Sequence, residues 1–272
     1  MLMAPTIETP MADEIDYKII GDDLQAVIVT LDPGETVVAE AGAMMYMQEG
    51  IVMNTTLDPN QQGGGLFGKL MQGTKRALSG DSFFVTTFTN TANKRQDAAF
   101  SSPFPGKIKP IDLKEWKGRI IAQKDSFLCA ARGVSIGIAF QRRLGVGLFG
   151  GEGFIMQRLE GDGLCFVHAG GMLHSFDLIA GQTLRVDTGC IVALQPSVNY
   201  DIQLVGGIKT ALFGGEGLFF ATLTGPGRVW LQSLPLSRLA GRIYKAIPSI
   251  GGSRREEGSI LGGIGDLLDG DS

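Results

Sequence analysis

The chain has few of the residues that most often carry chemistry. Its 272 residues include three cysteines, Cys129, Cys165 and Cys190, and two histidines, His168 and His174. The cysteines are odd in number, widely spaced and set in apolar runs such as Ser126-Phe127-Leu128-Cys129-Ala130. That pattern argues against a disulfide framework and offers no metal-like spacing, so they read as buried, reduced thiols. Charged residues make up only 19%, with a net charge of -4 and a pI near 5.3. Phosphate binding needs clustered Lys and Arg that outweigh their acidic neighbours, so nucleic acid is not the expected partner. Low charge combined with 44% apolar residues also argues against wholesale disorder. No apolar run approaches the ~18 residues of a membrane-spanning helix. The first twenty residues hold Pro5, Pro10 and acids where a secretory signal needs a basic start and an apolar stretch, so no export signal is expected.

Glycine, by contrast, is abundant. Forty glycines without a triplet period mark many tight turns between short strands. They also mark an internal repeat. Leu66-Phe67-Gly68, Leu148-Phe149-Gly150 and Leu212-Phe213-Gly214 share a triplet, which the last two extend to Leu-Phe-Gly-Gly-Glu-Gly around Glu152 and Glu216. The first copy keeps Gly80-Asp81-Ser82 but separates it from its triplet by the insertion Lys69 to Ser79. Gly34 and Gly181 each precede an acid by six residues, Glu40 and Asp187, and Gly118 precedes Asp125 with one residue more. A turn follows eight residues after the acidic motif in every copy, at Asn90, Gly161 and Gly225.

Between these columns lie strand signals: Phe83 to Thr89, Val134 to Phe140 and Val198 to Leu204 are β-branched, aromatic or alternating. The expected fold is all-β, with three diverged repeats of an antiparallel β unit in pseudo-threefold symmetry and one or two short helices. One unit alone has open edges and too little core; three together bury both. The expected organisation is a flexible leader over 1–12, one domain over 13–247 and a flexible tail over 248–272. Its repeats cover about 13–113, 114–178 and 179–234, followed by a C-terminal helix over 235–247. That helix sets Leu236, Leu239, Ile243 and Ile247 against Arg238, Arg242 and Lys245 after Pro235. A second amphipathic stretch over 66–79 carries Lys69, Lys75 and Arg76, with Gly68 and Gly73 working against a helix.

The threefold Leu-Phe-Gly triplet, twice extended to Leu-Phe-Gly-Gly-Glu-Gly, with Asn54-Thr55-Thr56 and Phe166-Val167-His168-Ala169-Gly170-Gly171, resembles the altered inheritance of mitochondria protein 24 family over roughly residues 15 to 245. The resemblance implies a pseudo-trimeric all-β fold similar to the tryptophan RNA-binding attenuation protein and no established enzymatic activity. Mitochondrial relatives are linked to inner-membrane organisation. No catalytic residue carries over, because the family supplies none.

Asp81, Glu152 and Glu216 are the sharpest candidate set, since the repeat makes them equivalent. Flanking glycines let a carboxylate accept nearby amide hydrogens, a turn-capping role; convergence near an axis would instead let the three hold a cation. Glu40, Asp125 and Asp187 read as structural turn residues. A hairpin turn at Gly170-Gly171 would set His168 opposite Leu173 and His174 opposite Val167, so the imidazoles would not converge on a metal. Gly63-Gly64-Gly65 and Gly73-Thr74-Lys75 lack the spacing of a phosphate loop. No nucleophile has an evident base, so no catalytic, cofactor or metal residue is assigned. The basic segments either pack on the core or touch anionic lipid or a protein partner.

The expected function is a non-enzymatic scaffold or binding module in the cytoplasm that self-associates through β edges, with peripheral membrane contact as an added expectation. The alternatives are a small-ligand or metal-binding enzyme on a β scaffold, and RNA binding by fold analogy alone.

Overall fold

The computed structural model describes residues 12–56, 85–142, 154–204 and 219–246. The Leu-Phe-Gly motifs, Asp81, Glu152 and Glu216, and the basic stretch with Lys69, Lys75 and Arg76 lie outside these residues.

Nineteen strands occupy the described residues, with three short 3-10 turns and one α-helix. The chain is all-β, and its strands form antiparallel sheets. A four-stranded sheet has the order β1 (Asp16–Ile20), β2 (Ala26–Leu31), β7 (Gln96–Ser101), β4 (Met44–Met47). A six-stranded sheet runs β5 (Ile51–Thr56), β6 (Val85–Asn90), β3 (Thr36–Glu40), β10 (Phe127–Ala131), β13 (Leu164–Gly170), β8 (Gly106–Asp112). A second six-stranded sheet runs β11 (Ser135–Arg142), β12 (Phe154–Glu160), β9 (Arg119–Gln123), β16 (Ile191–Leu194), β19 (Gly227–Gln232), β14 (Leu173–Leu178). The last sheet has three strands, β15 (Thr183–Asp187), β18 (Phe219–Thr224) and β17 (Asn199–Leu204).

The two six-stranded sheets obey one rule. Their first three places and their last are filled from one stretch of sequence, while the fourth and fifth come from the stretch that follows it. Thus β3 takes β10 as its neighbour, and β9 takes β16. The strand in the fourth place carries a bulge in both sheets, between Phe127 and Cys129 in β10 and between Ile191 and Ala193 in β16. A bulge adds a residue on one strand and increases local twist, so its position fixes the register beyond it. β4, against β7, has the same bulge between Met44 and Tyr46.

Local backbone chemistry recurs with the strands. Gly34, Gly118 and Gly181 adopt φ of 89°, 75° and 78°, a left-handed region that a side chain enters at a cost of about 1–2 kcal/mol. Each is tied to its turn partner: Gly34 N–H donates to the Asn90 carbonyl (2.8 Å), Gly161 N–H to the Gly118 carbonyl (3.0 Å) and Gly181 N–H to the Gly225 carbonyl (3.3 Å).

Apolar side chains from these sheets form three buried clusters. One gathers around Phe88, Phe100 and Phe166, one around Ile120, Leu159 and Trp230, and one around Phe154, Met156 and Leu223. Fully burying a side chain of this size stabilises by about 1.5–3 kcal/mol, so these clusters dominate the favourable side of folding.

The hairpin expected at Gly170-Gly171 does not form. β13 pairs with β8 and β10, whereas β14 pairs with β19 in the other six-stranded sheet. Gly171 has φ of 66° and its N–H donates to the Pro105 carbonyl, so the glycine pair passes the chain from one sheet to the next.

By contact density the chain divides at 238/239. The α-helix α1 (Leu236–Ala246) spans that division. Its start follows Pro235, whose carbonyl accepts the Arg238 N–H at 3.0 Å. Proline suits this entry to the helix because the backbone donor that it lacks would have no intrahelical partner there.

Candidate functional site

β4 is the strand on which sequence and structure disagree most. Met44-Met45-Tyr46-Met47 is wholly apolar, which on composition alone predicts burial. All four residues are exposed, Met45 at 51%. The cause is the pairing. β4 is bonded to β7, through Met44 to Phe100, Tyr46 to Ala99 and Met47 to Ala98, and among the described residues it ends its sheet. β10 and β16, which hold the corresponding place in the six-stranded sheets, have a strand on both sides and are buried throughout. The following strand extends the apolar exposure through Val52 and Met53 on β5, itself a sheet edge. Six large apolar side chains within ten residues of sequence, with no charge on β4, are thus exposed at the edges of two sheets, and among the described residues β4 has none of the lysine or proline that β proteins normally place on an edge.

In the three-stranded sheet, β15 is paired with β18 and among the described residues also ends its sheet. Thr183 and Arg185 are exposed, and Val186 is buried. Asp187 closes the strand by accepting the Gly189 N–H at 2.9 Å and bonding Arg238 at 3.1 Å.

The acids flanking this architecture behave as turn residues with electrostatic consequences. Glu40, at the end of β3, has its carboxyl pushed up to about 7, first by burial and then by the neighbouring Asp125, with Lys124 opposing. Asp125 lies in the short turn before β10, so the β3–β10 pairing is what brings the two acids together.

The histidines are apart, on strands of different sheets. His168 is buried on β13 against the edge of Phe104, ring centroids 4.7 Å apart, and burial lowers its pKa to about 4 against an opposing hydrogen bond with the Phe104 backbone. Its Nδ1 has no hydrogen-bond partner. His174 is exposed on β14 beside Phe176. Cys129 and Cys165 are buried free thiols on adjacent strands, and burial pushes the Cys165 thiol up to about 12. A thiol so held is not a nucleophile near neutrality. Cys190 is half-buried, with the Arg238 guanidinium donating to its sulfur at 3.9 Å. Among the described residues no three or more His, Cys, Asp or Glu side chains cluster as metal ligands would. A small cleft is lined by Phe104, Gln123, Asp125, Gly189, Gln232 and Pro235. Gln123 Oε1, at its wall, lacks a hydrogen-bond partner, while Gln232 is held by Gly170 N–H and the Gly189 carbonyl.

Of the basic candidates, Arg238 is tied to Asp187, Arg242 is exposed and Lys245 stands in the last turn of α1. Leu236 and Ile243, seven residues apart and therefore on one side of the helix, are both exposed. Among the described residues no helix is long and apolar enough to cross a membrane.

The fold defines an all-β protein of antiparallel sheets, in which, among the described residues, an apolar strand lies at a sheet edge. The sequence profile of the Mitochondrial biogenesis AIM24 family matches residues 17–234, and the chain belongs to that family. An uncharacterized protein of Streptococcus pyogenes serotype M6 is 31% identical over 247 residues, covering 89% of this chain and 95% of its own length. The crystal structure of another Streptococcus pyogenes protein is similar with a TM-score of 0.68 at 24% identity, over 86% of this chain and 100% of that one, a likeness of fold.

The exposure of β4 escaped sequence reasoning. The available signal was the run Met44-Met45-Tyr46-Met47 four residues after Glu40, the position that Ile191-Val192-Ala193-Leu194 holds after Asp187.

Proposed function

We propose that this chain is a non-enzymatic scaffold, three β units about a pseudo-threefold axis, that works through surface contacts made at the β4–β5 face. The observation that carries the reading is the exposure of an apolar strand whose counterparts β10 and β16 are buried. Desolvating six large apolar side chains would drive association, and the open backbone groups of β4 would direct it. The recurring bulge, the glycine-to-turn hydrogen bonds and the shared sheet rule support the threefold arrangement. Three cysteines, odd in number and widely spaced, support a reducing compartment such as the cytoplasm.

The test is sedimentation velocity with hydrogen exchange on the full chain and on its Met45→Lys, Met53→Lys variant. The parent is expected to sediment faster than a 28.9 kDa chain and to protect β4–β5 amides, and the variant to lose both. Identical behaviour of the two, with β4–β5 exchanging freely in each, overturns the reading.

The exposed Leu236 and Ile243, with Arg242 beside them, support a second contact, with anionic membrane surfaces. Flotation with anionic vesicles is expected for the full chain and not for a chain lacking residues 235–272. Absence of flotation in both removes this contact.

A further inference from the structure

We propose that the cleft beside the start of α1 binds a primary ammonium group carried on an aliphatic chain, seated on Gln123 Oε1 with the Asp125 carboxylate and the Ser237 hydroxyl at its rim. This site is independent of the β4–β5 surface and does not need it.

The floor of the cleft is buried and its rim is open. Phe104, Gln123 and Gln232 are buried, whereas Asp125, Leu236 and Ser237 are exposed. Gln123 is only 5% exposed, and its Oε1 has no hydrogen-bond partner. The wall beside it is already fixed: Gln232 Oε1 accepts the Gly170 N–H at 2.7 Å, and Gln232 Nε2 donates to the Gly189 carbonyl at 2.8 Å. A buried acceptor left unpaired is destabilising, so its retention calls for a reason.

The strand ends sharpen the point. β3, β9 and β15 each have five residues and end on Glu40, Gln123 and Asp187. The carboxylate that ends β15 is used within the fold, by the Gly189 N–H and by Arg238. β9 ends instead on a neutral amide whose oxygen is unpaired and borders the cleft. Polar atoms without partners also stand behind it: Ser126 Oγ follows Asp125, and His168 Nδ1 belongs to the ring packed on Phe104.

The ligand class follows from what the cleft offers. Gln123 Oε1, the Asp125 carboxylate and the Ser237 hydroxyl are oxygen acceptors carrying one negative charge between them. An incoming group must bring donors, and a positive charge complements the carboxylate. A primary ammonium has N–H donors only, and no acceptor to leave unpaired. The cleft volume of about 20 Å³ holds one water-sized group, which suits an ammonium head and not a guanidinium or a trimethylammonium. Phe104 adds an aromatic wall, which favours a cation over a neutral donor. Leu236 and Pro235 border the same cleft and give the methylene chain an apolar surface. A carboxylate has about four lone-pair sites, so Asp125 can take the ammonium alongside its contacts within the chain.

The test titrates the full-length protein with n-butylammonium chloride and follows the side-chain amide of Gln123 and its backbone neighbours by heteronuclear NMR. Saturable shifts are expected in the parent, with affinity falling about tenfold or more in Gln123→Leu and in Asp125→Asn, as for loss of a hydrogen bond to a charged group. Gln123→Leu is expected to melt at or above the parent temperature, because leucine leaves no acceptor unpaired; a purely structural glutamine would show the opposite. Should Gln123→Leu not fold, Asp125→Asn, at an exposed position, carries the same test. n-Butanol lacks the charge and butyltrimethylammonium lacks the N–H donors, and neither is expected to compete. A blocked Gly-Lys-Gly peptide separates the two sources of such a group: tighter binding than butylammonium assigns the seat to a lysine of a protein partner, and weaker binding assigns it to a free amine. The proposal is overturned if butylammonium gives no saturable shift, if butyltrimethylammonium binds equally well, or if affinity is unchanged in the variants; the cleft then holds an ordered water only.

Discussion

β10 and β4 hold the same place beside their neighbours and meet opposite environments. Each has a bulge after its first residue and a partner on one side, β13 for β10 and β7 for β4. β10 has β3 on its other side and is buried at every residue; β4 ends its sheet and is exposed at every residue. The difference shows that burial here is decided by whether, among the described residues, another stretch of the same chain supplies the adjoining strand, as the preceding stretch does for β10. Hydrophobicity alone does not decide it, since both strands are apolar.

The comparison is tested most severely by placing a charge at each strand. Ala130→Lys in β10 puts an ammonium where exposure is 0% and no partner exists, and it is expected to cost more than about 4 kcal/mol in urea unfolding. A folded Ala130→Lys protein of near-parent stability would break the comparison.

His168, on the strand adjoining β10, gives the next largest effect. Its folded pKa of about 4 lies below the ordinary 6.5, so the unfolded chain binds more protons between these values. Stability is therefore lost as pH falls from about 6.5 towards 4, by up to about 3 kcal/mol. Thermal melts across that window should show the loss, and His168→Leu should abolish it.

Glu40 works in the opposite direction. With a folded pKa of about 7 against 4.5, it keeps its proton longer when folded, so its contribution is full below 4.5 and is lost as pH rises through 7. Glu40→Gln is expected to raise stability at pH 8 by about 2 kcal/mol and to change little at pH 4. Equal effects at both pH values would show that Asp125 and burial do not act on this carboxyl.

The smallest effect belongs to β4. Met45→Lys, measured on the dilute single chain, is expected to shift stability by no more than about 0.5 kcal/mol. A loss of several kcal/mol would mean that β4 is buried in the chain after all.

Much of the fold was legible because glycine and proline mark where strands must stop. Asp32-Pro33-Gly34 and Gly161-Asp162-Gly163 fall between strands, and Pro235 precedes α1 by one residue. Partner choice was not legible, because local alternation says which face of a strand is apolar and nothing about which strand lies beside it. Gly170-Gly171 shows this: two short apolar runs about a glycine pair read as a hairpin, yet the runs enter different sheets. The exposure of β4 was hidden for the same reason, since Met44 to Met47 look like core until the missing neighbour is known. The placement of Glu40 beside Asp125 likewise depends on strands far apart in sequence.

The sheet rule also bears on synthesis. The first six-stranded sheet takes its fifth strand from Leu164–Gly170, so it cannot be completed until those residues have left the ribosome. Until then β10, already able to pair with β3, leaves its other apolar edge bare on the nascent chain. The second sheet waits in the same way for Gly227–Gln232. Folding during translation must proceed one sheet in arrears, and a ribosome stalled between these points would hold a chain whose newest strand is open to the wrong neighbour.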